Sequence, residues 1–281
     1  MRMRRVLACL AGLLPIAGCA RTINLLQRDW PRFEGRFAAA APDSSLTATI
    51  RVVTFNVKLS RHVDRAIEVL KGPDLVAADV IALQEMNDAG TERIARALGF
   101  NYVFFPAVIH PHGGRYFGPA VMSRWPIDSA WKVLLPHAGS GRGQRRTATA
   151  ATVIVRDTRI RVYAVHLEIP TRLSPRAHLD QAAAVVDDAA SSPDPVVVAG
   201  DFNGHDIGRY LEAKGYRWPT RRVGRTSFVF SVDHIFVRGL AVADSAPAGS
   251  VPDVLGASDH RPVWARVFLP AAATAAGSGH P

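Results

Sequence analysis

Val196-Val197-Val198-Ala199-Gly200-Asp201-Phe202-Asn203 is the most apolar strand-like run in the chain, and it ends abruptly in Asp201 and Asn203. Four consecutive small apolar residues predict a strand covered on both faces, which belongs in the interior of a layered α/β structure rather than at a half-exposed edge. A buried strand that finishes in polar residues delivers those residues to a site. The same design recurs along the chain. Thr49–Val57 carries Asn56 near its end, Val80–Leu83 runs into Gln84-Glu85, and Tyr163-Ala164-Val165 runs into His166. Asp233 opens the strand-like Ser231–Val237, and Ser258-Asp259-His260-Arg261-Pro262 precedes the last strand, Pro262–Leu269.

Working outward, Tyr102–Val108, Ala120–Ser123 and Ile127–Leu135 read as strands. Thr147–Val155 and Ile160–Leu167 read as a hairpin across Arg156-Asp157-Thr158-Arg159, and Leu240–Ala243 as a further strand. Helical spacing appears at His62–Leu70, Thr91–Leu98 and Pro175–Ala190, the last around Arg176 and Gln181 and expected to cover a sheet. About a dozen strands with helices placed early and in the middle predict two packed sheets with helices outside, not one open parallel sheet. No internal repeat is visible.

The ends of the chain read differently. Met1-Arg2-Met3-Arg4-Arg5 followed by an apolar run from Val6 to Gly18 has the form of a secretory signal, and is too short for a spanning helix of roughly 20 residues. Ile16-Ala17-Gly18-Cys19 resembles a bacterial lipobox, which implies cleavage before Cys19, acylation of that cysteine and a lipid-anchored, extracytoplasmic protein of the cell envelope. The alternative is ordinary secretion with cleavage after Ala20. Residues 1–18 are thus expected to be a signal peptide, 19–47 a tether, 48–269 the catalytic domain and 270–281 a disordered Ala/Gly/Ser/Pro-rich tail. Cys9 and Cys19 are the only cysteines, so the mature body holds neither a disulfide nor a thiol-based zinc or catalytic site.

The net charge is +10, falling to +7 once Arg2, Arg4 and Arg5 leave, and only four of the 34 cationic side chains are lysines. Such a balance suits phosphate-bearing partners but says nothing of fold. Arg142-Gly143-Gln144-Arg145-Arg146 and the arginine-rich Arg217–Arg225 are loops able to grip a polyphosphate or to be simple solvated surface. Trp218 is positioned to stack on a base. Trp125 and Trp131 read as sheet-packing residues, and His110–Tyr116 as a lid-like loop.

Taken singly, a strand-end Asn or Asp is a turn former and a lone His a structural residue. In the order Asn56, Leu83-Gln84-Glu85, His166-Leu167-Glu168, Gly200-Asp201-Phe202-Asn203, Val232-Asp233-His234-Ile235 and Ser258-Asp259-His260-Arg261-Pro262, they resemble the endonuclease/exonuclease/phosphatase superfamily. These are metal-dependent phosphoesterases built like pancreatic deoxyribonuclease. The resemblance spans residues 48–269. It implies an α/β four-layer sandwich, two mixed β-sheets packed face to face with helices on the outside. It casts Glu85 as the main carboxylate ligand of Mg²⁺ or Mn²⁺, with Asn56 and Asp259 beside it, all hard oxygen donors. His260 is cast as the general base toward water, with Asp233 holding its tautomer. Asp201 would align the nucleophile, Asn203 would bond a phosphate oxygen and His166 would stabilise the charged transition state. Arg146 matches an arginine that enters the next strand in relatives and is a candidate phosphate contact; the other reading is a solvated basic turn.

Three departures matter. Pro119 stands where relatives have Asn after Gly118. Lys58 stands where abasic-site endonucleases carry Asp, and His166 where they tend to have Tyr. The last two favour branches resembling deoxyribonucleases, sphingomyelinases and sugar- or inositol-phosphate phosphatases. The expected function is therefore a metal-dependent phosphoester hydrolase, foremost a phosphodiesterase on nucleic acid or a phospholipid headgroup, acting as a monomer. The alternatives are a phosphomonoesterase of the same fold, a catalytically silent envelope lipoprotein that binds an anionic ligand, and a secreted toxin-like nuclease.

Overall fold

The computed structural model describes residues 22–39, 49–110, 113–141, 143–243 and 247–270. The proposed signal peptide, Cys19, and the tail beyond residue 270 lie outside the described residues. In chain order the elements are β1 (Ile23–Asn24), β2 (Phe33–Gly35), β3 (Thr49–Asn56), α1 (Val63–Lys71), β4 (Val80–Met86), α2 (Asp88–Leu98), β5 (Asn101–Phe104), β6 (Val108–Ile109), β7 (Tyr116–Ser123) and β8 (Ile127–Ala138). There follow β9 (Arg145–Val155), β10 (Thr158–His166), α3 (Pro175–Ala190), β11 (Val196–Asp201), α4 (Ile207–Ala213), β12 (Asp233–Arg238), β13 (Ala241–Val242), β14 (Ala248–Ser250) and β15 (Val263–Phe268).

Two sheets form. One runs β1-β6-β7-β4-β3-β15-β13, with β5 also on β7, β2 on β5 and β14 on β15; the other runs β12-β11-β10-β9-β8. Each contains one parallel pair, β3 with β4 and β10 with β11, so both are mixed. The alternation of side chains explains the layering. From β11, Val197 and Ala199 enter the core between the sheets, where Val52, Val80, Ala82 and Val121 meet them from the other sheet. Val196 and Val198 face the opposite way and pack under α3 and α4 through Val185, Ala189, Ile207 and Leu211. Val53, Phe55, Ile81 and Leu83 pack likewise under α1 and α2. The result is the expected four-layer α/β sandwich, and it explains why β11 is apolar without alternation. Gly200 lacks a side chain because a Cβ there would run into the backbone carbonyl of Val165 on β10.

Three differences from the sequence reading have clear causes. Residues 22–39 are not a tether: β1 pairs with β6 and β2 with β5, extending the first sheet. Strands of two and three residues leave no period to read. Polar contacts hold them instead: the buried Lys132 Nζ donates to Leu25 O at 2.9 Å and Trp30 O at 3.1 Å, and Asn24 bonds the backbone of Gly143 and Arg145. Burial lowers the Lys132 ammonium to about 8. Second, α2 begins three residues earlier than its apolar spacing, because Asn87 caps it by accepting from Gly90 N–H at 2.7 Å. Third, α4 has only seven residues, with Ile207 and Leu211 as its apolar anchors, and carries too few turns to show a period. The β9–β10 hairpin closes through Arg156-Asp157, with Arg156 at φ +55°.

Candidate active site

Strand register assembles most of the site. In the parallel β10–β11 pair His166 lies opposite Asp201, and in the antiparallel β11–β12 pair Asp201 lies opposite Asp233. Three residues distant in sequence therefore stand in a row at one end of the second sheet. In the first sheet Asn56 lies opposite Gln84, so Glu85 follows beside it. Asn56 Nδ2 joins the two sheets, donating to Glu85 Oε1 at 3.3 Å and to Asp201 Oδ2 at 3.0 Å.

Glu85 is placed by irregular backbone. It sits at φ +60° within a register shift between β4 and β7, and Lys58, Leu59 and Ser60 take three successive left-handed conformations. Non-glycine residues in this region cost about 1–3 kcal/mol each and concentrate at functional sites. Leu59 N–H donates to Glu85 Oε2 at 3.0 Å, and Ser60 Oγ donates to the Glu85 carbonyl at 3.3 Å. A cleft of about 380 Å³ opens beside Glu85, lined also by Arg61, Asn87, His110 and Arg115. The loop read as lid-like thus does border the site, although Pro111 and His112 lie outside the described residues.

His260 Nδ1 donates to Asp233 Oδ2 at 2.9 Å, and its Nε2 lies 3.8 Å from Asp201 Oδ2. Burial alone would lower the imidazole, but the charge and hydrogen bond of Asp233, with Asp201 and Asp259, push it up to about 10. Asp201 is pushed up to about 7 by burial and by the neighbouring Asp233 charge, against His260 and the donors Asn203 N–H and Asn56 Nδ2. The dyad is held firmly: Thr226 Oγ1 accepts from Val232 N–H and Asp233 N–H, and Ser258 Oγ donates to Asn56 O at 2.6 Å while accepting from His260 N–H.

His166 is buried, and Arg146 lies against its ring nitrogens at 3.1 and 3.3 Å. Burial first, then the charges of Arg146 and His260, hold His166 well below its ordinary value, so it is neutral. Arg146 is not a solvated turn residue. It is buried and forms a forked pair with the fully buried Glu168, Nε to Oε2 at 3.3 Å and Nη2 to Oε1 at 3.1 Å. Gln181 Oε1 accepts from Glu168 N–H at 2.9 Å, so the sheet-covering helix α3 also supports the site. In the sequence Glu168 stands only as the third residue of the His166-Leu167-Glu168 motif, with no role of its own. Removing it strands a buried guanidinium. Glu168→Ala is expected to cost about 3–5 kcal/mol of folding stability, read as a lower urea midpoint at unchanged slope.

The remaining positions are less convergent. Asp259 Oδ2 pairs with Lys58 Nζ at 3.0 Å at the surface. Burial raises its carboxyl, but the Lys58 hydrogen bond and the Lys58 and His260 charges hold it below the usual range. Asn203, at φ +49°, donates from its backbone to Asp201 Oδ1 and from Nδ2 to Leu167 O. Trp218 does not offer a face to a base: it is buried, with its ring 4.9 Å from His234 and 5.2 Å from Phe236. Trp125 is likewise buried in the core, and Trp131 Nε1 donates to Asp188.

The donor chemistry suits a hard divalent cation. Glu85 presents a carboxylate to the cleft, and among the described residues Asp201, Asp233 and His260 form a group with ligand atoms within 4.8 Å of one another. In that group the His260–Asp233 hydrogen bond occupies Nδ1 and a nitrogen donor remains at Nε2, whereas the Glu85 side is oxygen-only, which Mg²⁺ and Mn²⁺ prefer. Asn56 links the two sides. Its Oδ1 accepts from Lys58 N–H and its Nδ2 faces two carboxylates, so it clamps Glu85 and keeps one lone pair of Oδ1 for a cation.

This fold and constellation are those of a phosphoesterase sandwich, and the family profile agrees. The Endonuclease/Exonuclease/phosphatase family matches residues 53–260, and the chain belongs to that family. Its members are in general hydrolytic phosphoesterases, typically dependent on divalent metal. Among solved structures, the endonuclease/exonuclease/phosphatase from Beutenbergia cavernae is 21% identical with a TM-score of 0.64, over 79% of this chain and 72% of that one. A humanized D. rerio TDP2 is 19% identical with a TM-score of 0.60, over 79% and 99%. Sphingomyelinase C from Streptomyces griseocarneus is 18% identical with a TM-score of 0.57, over 80% and 100%. At these identities the likeness is one of fold. No curated protein sequence matches the chain.

Proposed function

We propose that the chain is a metal-dependent phosphodiesterase of the cell envelope, tethered through an acylated Cys19. The observation that carries this reading is the His260–Asp233 pair, 2.9 Å apart, standing over Asp201 beside the Asn56–Glu85 clamp. In this reading Asp233 fixes the proton on Nδ1 and leaves Nε2 to accept one from water. Asp201 orients that water. Arg146, bordering the neutral His166, supplies fixed positive charge toward phosphate oxygens, and Asn203 supplies an amide donor. A divalent cation held by Glu85, with Asp259 near the same loop, would add charge neutralisation for the phosphate. Lipid tethering restricts the substrates to extracellular nucleic acid, phospholipid headgroups or soluble esters outside the cytoplasm.

The pH behaviour follows from Asp201. Its folded value lies above its ordinary 3.8, so the folded state binds the proton more tightly than the unfolded chain. Its contribution to stability therefore falls as pH rises from about 4 to about 7 and stays lost above that. Asp201→Asn is expected to melt higher than the native protein at pH 8, the difference shrinking toward pH 4, while hydrolysis is lost. Equal melting temperatures at pH 8 would contradict the assignment.

The test of function is a substrate panel with the purified protein: bis(p-nitrophenyl) phosphate, p-nitrophenyl phosphate, plasmid DNA, single-stranded RNA, sphingomyelin and phosphatidylcholine, each with Mg²⁺, Mn²⁺ or EDTA. Metal-dependent diester turnover supports the reading. Preference for the monoester would replace it with a phosphomonoesterase, and silence of the folded protein on every substrate with an anionic-ligand binder.

A further inference from the structure

Phe228, Val229 and Phe230 are 85%, 61% and 62% exposed, three large apolar side chains in succession at the tip of one turn. An isolated exposed apolar residue is ordinary, but a contiguous apolar tip on a folded protein marks an interaction site. This tip is not loose. Ser227 N–H donates to Phe230 O at 3.0 Å, Phe230 N–H donates to Ser227 O at 2.7 Å, and Phe228 takes a left-handed φ of +45°. At its base, Thr226 bonds the backbone of Asp233, Thr226 O accepts from Arg261 N–H, and Ser227 bridges His260. The turn therefore holds three apolar side chains out of the core while anchored to both members of the His260–Asp233 pair.

Two further features say what meets it. Arg222 and Arg225 are exposed just before the turn, giving a basic shoulder to the apolar tip. A cavity of about 440 Å³ lies beside the turn, lined by Ile169, Pro170, Asn203, Phe230, Val232 and His260. Asn203 and His260 reach it from one side, Thr171, His205, Ser227 and Ser231 add polar groups to its wall, and Ile169, Pro170, Phe230 and Val232 supply its apolar part. A phosphodiester whose phosphate faces those two residues would lay its organic substituent against Ile169, Pro170, Val232 and Phe230. An apolar aromatic tip with basic flanks matches a bilayer carrying anionic headgroups, where apolar side chains enter the acyl boundary and arginines pair with phosphates.

We propose that residues 222–230 are a membrane-docking element, and that this site takes phosphodiesters carried by lipids at an anionic bilayer surface. The substrate class rests on the phosphodiesterase reading; docking rests on the turn alone.

The docking test uses the full chain with Cys9→Ser, Cys19→Ser and Val229→Cys, labelled at its single thiol with a polarity-sensitive fluorophore. Against vesicles of phosphatidylcholine and phosphatidylglycerol, the label is expected to shift to the blue and to be quenched by brominated acyl chains. Arg222→Glu/Arg225→Glu in the same background should abolish the shift. Emission that stays water-like at saturating lipid overturns docking, as does a shift produced equally by single-stranded oligonucleotide or by self-association without lipid. The substrate test compares Phe228→Ser/Val229→Ser with the native protein. Turnover of a vesicle-borne phosphodiester should fall about tenfold or more, tracking lost apolar contact, with hydrolysis of bis(p-nitrophenyl) phosphate unchanged. An equal loss on both, or on neither, overturns the lipid assignment. Absence of hydrolysis by the native protein would defeat the phosphodiesterase reading and leave the fluorescence result to decide docking.

Discussion

His260→Asn is expected to lower diester hydrolysis by about 10²–10⁴-fold, the range in which a positioned general base contributes. Asparagine is the informative replacement because its amide nitrogen falls near the position of the ring Nδ1. It can keep the donor to Asp233 Oδ2, which would otherwise be left as a buried carboxylate without its 2.9 Å partner. What asparagine cannot do is accept a proton at the position of Nε2. The variant should therefore stay folded and lose turnover in kcat, with KM little changed. With His260 held up to about 10, the native rate should climb with pH through the neutral and mildly alkaline range as the imidazole loses its proton, and the variant should lack that limb. A variant that retains the pH limb would assign it to another group.

Glu85→Gln carries the second large effect. A cation in this site is worth several kcal/mol of transition-state stabilisation, which at about 1.4 kcal/mol per decade corresponds to a loss of roughly 10³-fold or more. Glutamine keeps the volume and one carbonyl oxygen, so one of the two bonds from Asn56 Nδ2 and Leu59 N–H survives. The strained 58–60 turn should persist and the melting temperature should change little. Isothermal titration with Mn²⁺ checks the assignment independently of turnover: binding by the native protein should be strongly weakened in the variant. Unaltered Mn²⁺ binding would move the cation to the Asp201, Asp233 and His260 group.

Much of the architecture was legible because buried sheets write directly into sequence. The unalternating Val196–Ala199 run announced a strand covered on both faces, and the polar ends of β3, β4, β10 and β11 lay where the strands leave the core. Register then did what the sequence could not display, setting His166, Asp201 and Asp233 opposite one another on adjacent strands. The parts that escaped notice depend on local polar bonds. Residues 22–39 pair with β5 and β6 of the first sheet in strands of two and three residues, and Asn24 and Lys132 tie them to the second, none of which makes a pattern. Glu168 sat inside a recognised motif, yet its role as the partner of Arg146 requires two strands to be aligned in space. Trp218 read as an exposed aromatic among arginines, whereas the packing of α4, with Gly208 close under its ring, draws it inward. The 58–60 turn contains no glycine, so its left-handed backbone had no residue signal at all.

The apolar turn at 227–230 and the His260–Asp233 pair share a base at Thr226, Ser227 and His260, so on the proposed reading docking and hydrolysis would be coupled. Residues of both sheets converge on one site, and the proposed function of that site is metal-dependent hydrolysis of a phosphodiester. The most direct measurement is release of p-nitrophenol from bis(p-nitrophenyl) phosphate by the native protein, stripped with EDTA and then restored with Mg²⁺ or Mn²⁺, beside His260→Asn under the same conditions. Turnover that disappears on stripping, returns with metal and stays absent in the variant is the predicted result. Turnover indifferent to EDTA, or equal in the variant, would contradict it.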